Sequence, residues 1–348
     1  MQTIIRKVDE NCIDEMIMKE AGALLKQGAL VAFPTETVYG LGANALDSEA
    51  AAKIYAAKGR PSDNPLIVHI ADMDALPLIT AEIPEAAKKL AAKFWPGPLT
   101  MVMRKSEVVP HGTTGGLDTV AVRMPAHPIA LEMIRHGGGY IAAPSANTSG
   151  RPSPTLASHV ADDMDGIVPL ILDGGAVGIG IESTIVDLTD EIPTILRPGF
   201  ITKEMLQEVV GEVQIDKGLD ADSKTPPKAP GMKYRHYAPK AELMIVEGSS
   251  EAVVAKINAL VKENEEKGIC TGIIGTEETV SRYPAGIVKC MGTRNDELSI
   301  SSHLYGILRE FDESDAKVIY SESFEEGAMG SAIMNRLLKA AGHKIIHV

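Results

Sequence analysis

Apolar positions in residues 1–212 follow two spacings, one typical of strands and the other of helices. Short apolar runs bounded by turn residues predict strands, and longer stretches with apolar residues every three or four positions predict amphipathic helices. The predicted strands are Thr3–Val8, Ala29–Phe33, Leu66–Ile70, Leu99–Met103, Thr119–Arg123, Tyr140–Ala143, Leu170–Asp173 and Thr184–Leu188. The predicted helices are Asp14–Gln27, Ser48–Lys58 (with Ser48 as its N-cap), Pro84–Phe94, Pro128–His136 and Lys203–Val210. Because several predicted strands are neighbours in sequence, we expect one twisted α/β sheet of mixed direction.

From residue 241 onwards, strands and helices alternate regularly. The predicted order is β-α-β-α-β-α-β, with strands at Leu243–Val246, Thr271–Gly275, Lys317–Tyr320 and Lys344–Val348 and helices at Ser250–Glu266, Ser301–Phe311 and Met329–Ala341. This order predicts a small doubly wound, Rossmann-like parallel sheet. No Gly-x-Gly-x-x-Gly follows its first strand, so the pattern does not predict a dinucleotide site.

Residues 213–240 interrupt both patterns. Segment 223–240 contains four prolines and five Lys or Arg residues and no acidic residue, which is typical of a linker. It also carries Tyr234, His236 and Tyr237, which a plain spacer does not need. We therefore predict a first domain at 1–212, a basic linker at 213–240 that is either a functional lid or binding loop or a plain spacer, and a second domain at 241–348.

Composition narrows the possible functions. A net charge of −13 and only 4% aromatic residues argue against binding nucleic acid by bulk electrostatics or base stacking. The three cysteines are widely spaced, which indicates neither a zinc site nor a disulfide framework. We found no leader peptide and no apolar run long enough to span a membrane, so we expect a cytoplasmic protein.

The segment Lys58–Pro65 has the sequence KGRPSDNP and lies between a predicted helix and a predicted strand. Cations at Lys58 and Arg60, followed by the amide of Asn64, suit a ligand rich in phosphate oxygens. A polar turn with incidental charges is the alternative.

Two further polar loops follow predicted strands, where α/β proteins bind ligands. Thr35–Gly42 supplies hydroxyls, glycines and Glu36, a candidate base that is otherwise a solvated or capping residue. Pro144–Ser153 supplies hydroxyls, an amide and an arginine, which suits phosphate. Either loop alone is also compatible with an ordinary surface turn.

Single polar residues on the predicted strands are ambiguous. His69 lies within an apolar strand and is more often a core residue than a ligand. Arg123 ends a strand and suits a substrate carboxylate, or equally a salt bridge at the sheet edge. We found no phosphate-binding P-loop, no nucleophile elbow and no zinc-protease helix, so catalysis would depend on positioning and charge stabilisation.

Together these motifs resemble the YrdC-type family in its long, two-domain form, the threonylcarbamoyl-AMP synthases. The resemblance covers nearly the whole chain. It rests on Thr35–Gly42, Lys58-x-Arg60, Ser145-x-Asn147, Glu182-Ser183-Thr184, Arg197-Pro198-Gly199 and the linker motif 230–239.

The resemblance implies that L-threonine, bicarbonate or CO2, and ATP carried with Mg²⁺ yield threonylcarbamoyl-adenylate and pyrophosphate. A separate transferase complex would then modify tRNA beside the anticodon. It implies catalytic roles for Lys58 and Arg60, and no metal ligands from protein side chains. The implied ATP-binding residues are Arg60, Asn64, Thr119, Ser145, Asn147, Ser153, Arg197, Tyr234 and His236. The implied threonine-binding residues are Thr35, His69, Arg123, Ala143 and Ser183.

Two other classes stay open on the sequence alone. An RNA-binding module would use a local basic concave face, against the acidic net charge. A carbamoyl transferase acting on carbamoyl phosphate would also contain a YrdC-type domain, although the companion domains of such enzymes are not visible in this sequence.

Overall fold

The computed structural model describes residues 2–216, 236–324 and 327–348. The chain forms two compact units. The first comprises Met1–Ser149, Ser153–Gly178 and Glu182–Lys233, and the second comprises Gly150–Pro152, Ile179–Ile181 and Tyr234–Val348. The predicted linker falls largely on residues 217–235, which lie outside the described residues.

The described part of the first unit contains one mixed sheet flanked by helices, which confirms the predicted fold class. Its strands are β1 Ile4–Lys7, β2 Val31–Phe33, β3 Gly40–Asn44, β4 Ile67–His69, β5 Leu99–Arg104, β6 Thr119–Arg123, β7 Ile141–Ala142, β8 Leu170–Asp173, β9 Thr184–Asp187, β10 Thr194–Arg197 and β11 Gln214–Ile215. Its helices are α1 Glu15–Lys26, α2 Ser48–Lys58, α3 Leu76–Ile79, α4 Glu85–Phe94, α5 His111–Thr114, α6 Pro128–His136, α7 Ala157–Met164 and α8 Lys203–Val210. The strand order is β1-β8-β2-β3-β7-β4-β6-β5-β9-β10-β11.

Strand β3 was not predicted, and it changes the meaning of the Thr35–Gly42 loop. Its sequence, GLGAN, has two glycines and weak strand propensity. It nevertheless pairs antiparallel with β2, so residues 34–39 connect two adjacent strands. The ring of Phe33 packs where a side chain at Gly40 or Gly42 would lie, which explains why glycine is needed there.

The predicted N-cap of α2 was wrong. Asp47, and not Ser48, caps the helix, and its carboxylate accepts a hydrogen bond from the Glu49 N–H. Both residue types are good caps, and sequence alone places such a boundary only to within a residue or two. At its other end, α2 stops at Gly59, which is left-handed (φ 61°) and turns the chain directly after Lys58.

The core of the first unit is built largely from aliphatic side chains on both faces of the sheet, in keeping with an aromatic content of only 4%. Leu41, Val68, Met101 and Val122 are among the fully buried residues of the largest apolar cluster. A second apolar cluster lies under α1 and α6 and includes Phe33 and Met133. The central strands are therefore held on both faces, which fixes the loops at their ends.

In the second unit the sheet is entirely parallel, which confirms the predicted doubly wound arrangement. The described strands are β12 Glu242–Glu247, β13 Thr271–Gly275, β14 Ile287–Cys290, β15 Val318–Glu322 and β16 Ile345–His347, in the order β14-β13-β15-β12-β16. The helices are α9 Ser250–Glu266, α10 Glu297–Asp312 and α11 Gly330–Ala341. Strand β14 was missed because it is a short edge strand, and α10 begins four residues before the predicted Ser301.

Candidate functional site

The site lies in the first unit, around Arg123 at the end of β6. This strand lies between β4 and β5, and the register places His69 and Thr100 opposite Arg123 on either side. Arg123 is only 4% exposed. Its position follows from the strand alternation that the sequence predicted, and the neighbouring strands bring three polar residues together in an otherwise apolar sheet.

The Arg123 guanidinium is held by two hydrogen bonds. Its Nε donates to the Gly97 carbonyl at 3.3 Å, and its Nη1 donates to the Thr37 hydroxyl at 2.9 Å. Thr37 lies 2.8 Å from the Thr35 hydroxyl, which in turn donates to the Val38 carbonyl at 2.7 Å. The loop between β2 and β3 is thus folded against Arg123 by its own hydroxyls.

Glu36 forms the third contact of Arg123, and this contact is different in kind. Its Oε1 lies 2.7 Å from Arg123 Nη2, yet the angles make no hydrogen bond. Both Glu36 carboxylate oxygens and Arg123 Nη2 are shielded from solvent and have no hydrogen-bond partner. The charges attract each other, but Nη2 donates no hydrogen bond and the Glu36 carboxylate accepts none, which is uncommon for buried polar atoms in proteins.

His69 is buried and electrically neutral at physiological pH. Burial, together with the charge of Arg123, lowers the pKa of His69 to about 3. Its Nδ1 lies 3.1 Å from the Ile67 carbonyl, and its ring meets the edge of Phe33. A neutral imidazole beside a cationic arginine contributes shape and hydrogen bonding without a second positive charge.

A second arginine continues this polar row along the sheet. The Thr100 hydroxyl lies 2.8 Å from the Ser183 hydroxyl. Arg197 Nε donates to the Ser183 carbonyl at 3.0 Å, and its Nη2 donates to the Ser183 hydroxyl at 3.2 Å. Arg123 and Arg197 are therefore linked through the register pair of Arg123 and Thr100 and the hydroxyl of Ser183.

Lys58 belongs to a second group of polar residues, at the end of α2. It is 2% exposed, and its ammonium donates to the backbone carbonyls of Ser145 and Asn147. The Ser145 hydroxyl donates to Asn147 Oδ1 at 2.5 Å. The structure thus brings together Lys58, Ser145 and Asn147, which the sequence analysis had predicted from two separate motifs.

Backbone pairing joins the loop of Ser145 to the loop of Thr35. The Leu41 N–H donates to the Pro144 carbonyl at 2.8 Å, and the Ala146 N–H donates to the Tyr39 carbonyl at 2.8 Å. Ala143 donates its own N–H to the Ile67 carbonyl at 2.9 Å. The N–H of Ala143 is therefore already used in pairing with the chain at Ile67.

Arg60 and Asn64 lie together in the loop that follows α2. Arg60 Nε donates to the Asn64 carbonyl at 3.2 Å, and its Nη2 donates to the Pro65 carbonyl at 3.1 Å. The Asn64 side chain is buried, and its Oδ1 has no hydrogen-bond partner. Arg60 therefore holds its own loop in place, and the Oδ1 of Asn64 is an acceptor to which a ligand could donate.

The remaining predicted residues are more scattered. Ser153 is buried and donates to Glu182 Oε1 at 2.6 Å. Thr119 is half-buried at the far end of β6, opposite Arg104. His236 is described as part of the second unit, 5.5 Å from the ring of Tyr237. Tyr234 lies outside the described residues.

Three contributors were not among the predicted site residues: Thr37, Thr100 and Glu182. Thr100 is fully buried in the apolar strand LTMVMR, so a polar residue inside an apolar run was the available signal. Thr37 and Glu182 lie inside motifs that were recognised. A motif does not show which of its side chains points toward the other polar residues, so these two were not singled out. Among the described residues, no three His, Cys, Asp or Glu are grouped as metal ligands, and no helix is long and apolar enough to cross a membrane.

Comparison with known families matches both units. The Sua5, YciO and YrdC family model, which carries the description "telomere recombination", matches residues 23–199. A model of the C-terminal domain of threonylcarbamoyl-AMP synthase matches residues 201–342.

Full-length relatives show the same correspondence. The chain is 51% identical to a threonylcarbamoyl-AMP synthase of Bacillus subtilis, covering 97% of this chain and 96% of the relative. It is also 51% identical to the Pyrococcus abyssi protein of the same name, covering 99% and 100%. A crystal structure of P. abyssi Sua5 complexed with L-threonine has a TM-score of 0.95 at 50% identity, covering 99% of this chain and all of that one.

Proposed function

Because the chain belongs to the Sua5, YciO and YrdC family, we infer that it synthesises threonylcarbamoyl-AMP. The observation that carries this conclusion is its 51% identity to two curated synthases over nearly the full length of both partners. The YrdC-type resemblance and the leading interpretation of the sequence are thereby confirmed. The enzyme is a nucleotidyltransferase that supplies the first step of threonylcarbamoyl modification of tRNA.

We propose that the substrates are L-threonine, bicarbonate or CO2, and ATP with Mg²⁺ bound to its phosphates. The threonine amine attacks carbon dioxide and forms a carbamate. A carbamate oxygen then attacks the α-phosphorus of ATP, and the bond to the β-phosphate oxygen breaks to release pyrophosphate. Both nucleophiles belong to substrates, which is consistent with the lack of a recognisable nucleophile motif in the sequence.

For threonine, the group around Arg123 is the proposed site. A guanidinium at the end of a strand suits the α-carboxylate, and the neighbouring hydroxyls of Thr35 and Ser183 suit the side chain. His69, which is neutral, would border the threonine site and offer it a hydrogen-bonding imidazole. The P. abyssi relative crystallised with L-threonine supports this choice of substrate.

For ATP, the proposed site combines the loop of Ser145 and Asn147 with Arg60, Asn64 and Arg197. Thr119 on β6 and Ser153 in the loop after β7 would complete it, and the family resemblance adds Tyr234 and His236. The positive charges would stabilise the charge that develops on the α-phosphate and pyrophosphate, which is the main electrostatic task in such transfers. Mg²⁺ arrives on the triphosphate and draws no ligands from the protein.

Delivery of the product is a further part of the proposal. A threonylcarbamoyl transferase complex would consume the adenylate and modify tRNA, in the cytoplasm. Direct RNA binding is not needed for this chemistry, and the net charge of −13 disfavours it.

The test is pyrophosphate release measured with and without each substrate. We expect release only when threonine, bicarbonate and Mg·ATP are all present, and a product with the mass of threonylcarbamoyl-AMP. Release that is independent of threonine, or a carbamoylated product formed from carbamoyl phosphate, would contradict the proposal.

A further inference from the structure

The contact between Glu36 and Arg123 is the least satisfied polar contact of the site. Three of the atoms involved, both Glu36 oxygens and Arg123 Nη2, are buried and without hydrogen bonds although the charges lie 2.7 Å apart. Glu36 and Arg123 balance each other's charge at this distance, but the pair leaves the carboxylate oxygens and Nη2 able to accept and donate further hydrogen bonds. Unused hydrogen-bonding capacity at a buried ion pair beside a candidate site suits a ligand that carries both a donor and an acceptor.

The missing partners define the ligand by its chemistry. Arg123 Nη2 needs an acceptor, and the Glu36 carboxylate needs donors. An α-amino acid carries both groups two bonds apart, a carboxylate that accepts from a guanidinium and an ammonium that donates to a carboxylate. A ligand with a carboxylate alone would satisfy Arg123 and leave Glu36 with an uncompensated charge.

We propose that Glu36 binds the ammonium group of the amino-acid substrate and accepts a proton from it when the nitrogen becomes a nucleophile. This inference rests on the proposed function, since it adds a residue to the threonine site around Arg123. Before the substrate binds, Glu36 balances the charge of Arg123. When the substrate carboxylate takes over Arg123, Glu36 turns to the ammonium.

The ammonium has no lone pair, so it cannot attack carbon dioxide until a proton leaves. Glu36 takes that proton, and the nitrogen lone pair then forms the N–C bond while one C=O pair moves onto oxygen. A second proton leaves the nitrogen to water, which gives a neutral carbamate nitrogen and a carbamate anion. Glu36 returns its proton to solvent after the product departs.

The surroundings of Glu36 allow this role. Arg123 on β6 is the cation in direct contact, and His69 on β4, beside Arg123, is neutral. His127, at the start of α6, is buried, and burial lowers its pKa although Glu10 and Glu36 oppose the shift. Glu10 lies 3.8 Å from His127 on the outer side and is half exposed. Around Glu36 itself, Arg123 is thus the one permanent cation that these contacts identify.

The experiment compares two ligands on three proteins. The ligands are L-threonine and the 2,3-dihydroxybutanoic acid of matching configuration, in which a hydroxyl replaces the ammonium. The proteins are the full-length wild type, Glu36→Gln and the matched control Glu10→Gln, and binding is measured by titration calorimetry without ATP. We expect the wild type and Glu10→Gln to prefer threonine by tenfold or more, and Glu36→Gln to lose most of that preference.

The outcomes separate this inference from the proposed function. If the wild type binds threonine and the hydroxy acid equally well, the ammonium is not recognised and the inference is wrong, whatever the variants do. If Glu36→Gln keeps the wild-type preference, Glu36 only balances Arg123. If the wild type binds threonine with the expected preference but makes no threonylcarbamoyl-AMP, the proposed function fails and the ammonium site stands.

A kinetic arm tests the proton step. Removing a general base lowers turnover by about 10²–10⁴-fold. We expect Glu36→Gln to show such a loss at saturating threonine, and Glu36→Asp, which keeps the carboxylate on a shorter stem, to recover part of it. A Glu36→Gln enzyme whose turnover at saturation equals that of wild type would restrict Glu36 to binding.

Discussion

Lys58 and Arg123 are both buried cations of the first unit, 2% and 4% exposed, but their surroundings differ. The ammonium of Lys58 donates to two backbone carbonyls of the loop at Ser145–Asn147. Arg123 donates two hydrogen bonds and directs its remaining nitrogen at a carboxylate that it does not bond. The ammonium of Lys58 thus donates to backbone carbonyls, whereas Arg123 has one nitrogen, Nη2, that donates no hydrogen bond.

This difference separates a cation whose contacts hold a loop in place from one that has a nitrogen without a hydrogen bond. A lysine engaged by backbone carbonyls fixes the loop that carries those carbonyls, and Lys58 is thus a positioning residue for Ser145 and Asn147. Its direct catalytic role stays a prediction. In the proposed function, Arg123 Nη2 is the nitrogen that would bind the substrate carboxylate.

Replacing Lys58 is the strongest way to test this comparison. In Lys58→Met the carbonyls of Ser145 and Asn147 lose their donor, and each buried acceptor left without a partner costs about 1–3 kcal/mol. We expect the free energy of unfolding to fall by about 2–4 kcal/mol, measured by urea titration without substrates. Turnover should also fall sharply, because the loop loses its position.

The control is Lys53→Met on the same helix. Lys53 also donates to a carbonyl, that of Gly28 at 2.6 Å, but it is exposed, so water can replace it. We expect the free energy of unfolding of Lys53→Met to fall by less than about 1 kcal/mol. If Lys58→Met were as stable as Lys53→Met yet inactive, Lys58 would act on substrate and not on the loop.

The fold could be predicted from the sequence where the apolar pattern was strong. The parallel second sheet followed from regular alternation, and β6 followed from the alternation of Thr119–Arg123. Strand β3 could not be predicted in the same way, because GLGAN forms a strand only through pairing with β2 and β7. A non-local partner determines such a strand, and local propensity does not reveal it.

The site followed the same rule. The motifs placed Lys58, Ser145 and Asn147 in polar loops, and the structure brought these residues together. What the sequence did not reveal was direction: which side chains face the backbone and which face a ligand. Thr37 and Thr100 became visible only when strand register put them beside Arg123 and Ser183.

His69 extends the comparison to pH, since it is the neutral neighbour of the partly satisfied Arg123. Its folded pKa of about 3 lies below the unfolded value, so the unfolded chain binds more protons between these two values. Stability from this residue is therefore present above about pH 6.5 and lost as the pH falls toward 3. We expect the contribution of His69 to lower the free energy of unfolding by up to about 2 kcal/mol between pH 7 and pH 5.

The measurement is the pH dependence of the free energy of unfolding for wild type and His69→Gln, without threonine. Glutamine can still donate to the Ile67 carbonyl, but it does not titrate. The difference between the two proteins isolates the histidine from the carboxylates, which titrate in both. Identical pH slopes would show that His69 already accepts a proton in the folded protein, and Arg123 would then have a charged neighbour.

The smallest effect tests whether the hydroxyl row beside Arg123 serves the ligand or only the sheet. Thr100→Val removes the hydroxyl that contacts Ser183, and Thr184→Val removes a hydroxyl bonded at 2.7 Å to the Ile201 carbonyl. Both threonines are fully buried, so we expect each variant to lose about 0.5–1.5 kcal/mol of stability. Only Thr100→Val should also weaken threonine binding, by about two- to fivefold in calorimetry, because the Ser183 hydroxyl loses its contact with Thr100 and keeps the one with Arg197. Equal threonine affinities in the two variants would mean that the row belongs to the sheet, and that the partly satisfied region ends at Arg123 and Glu36.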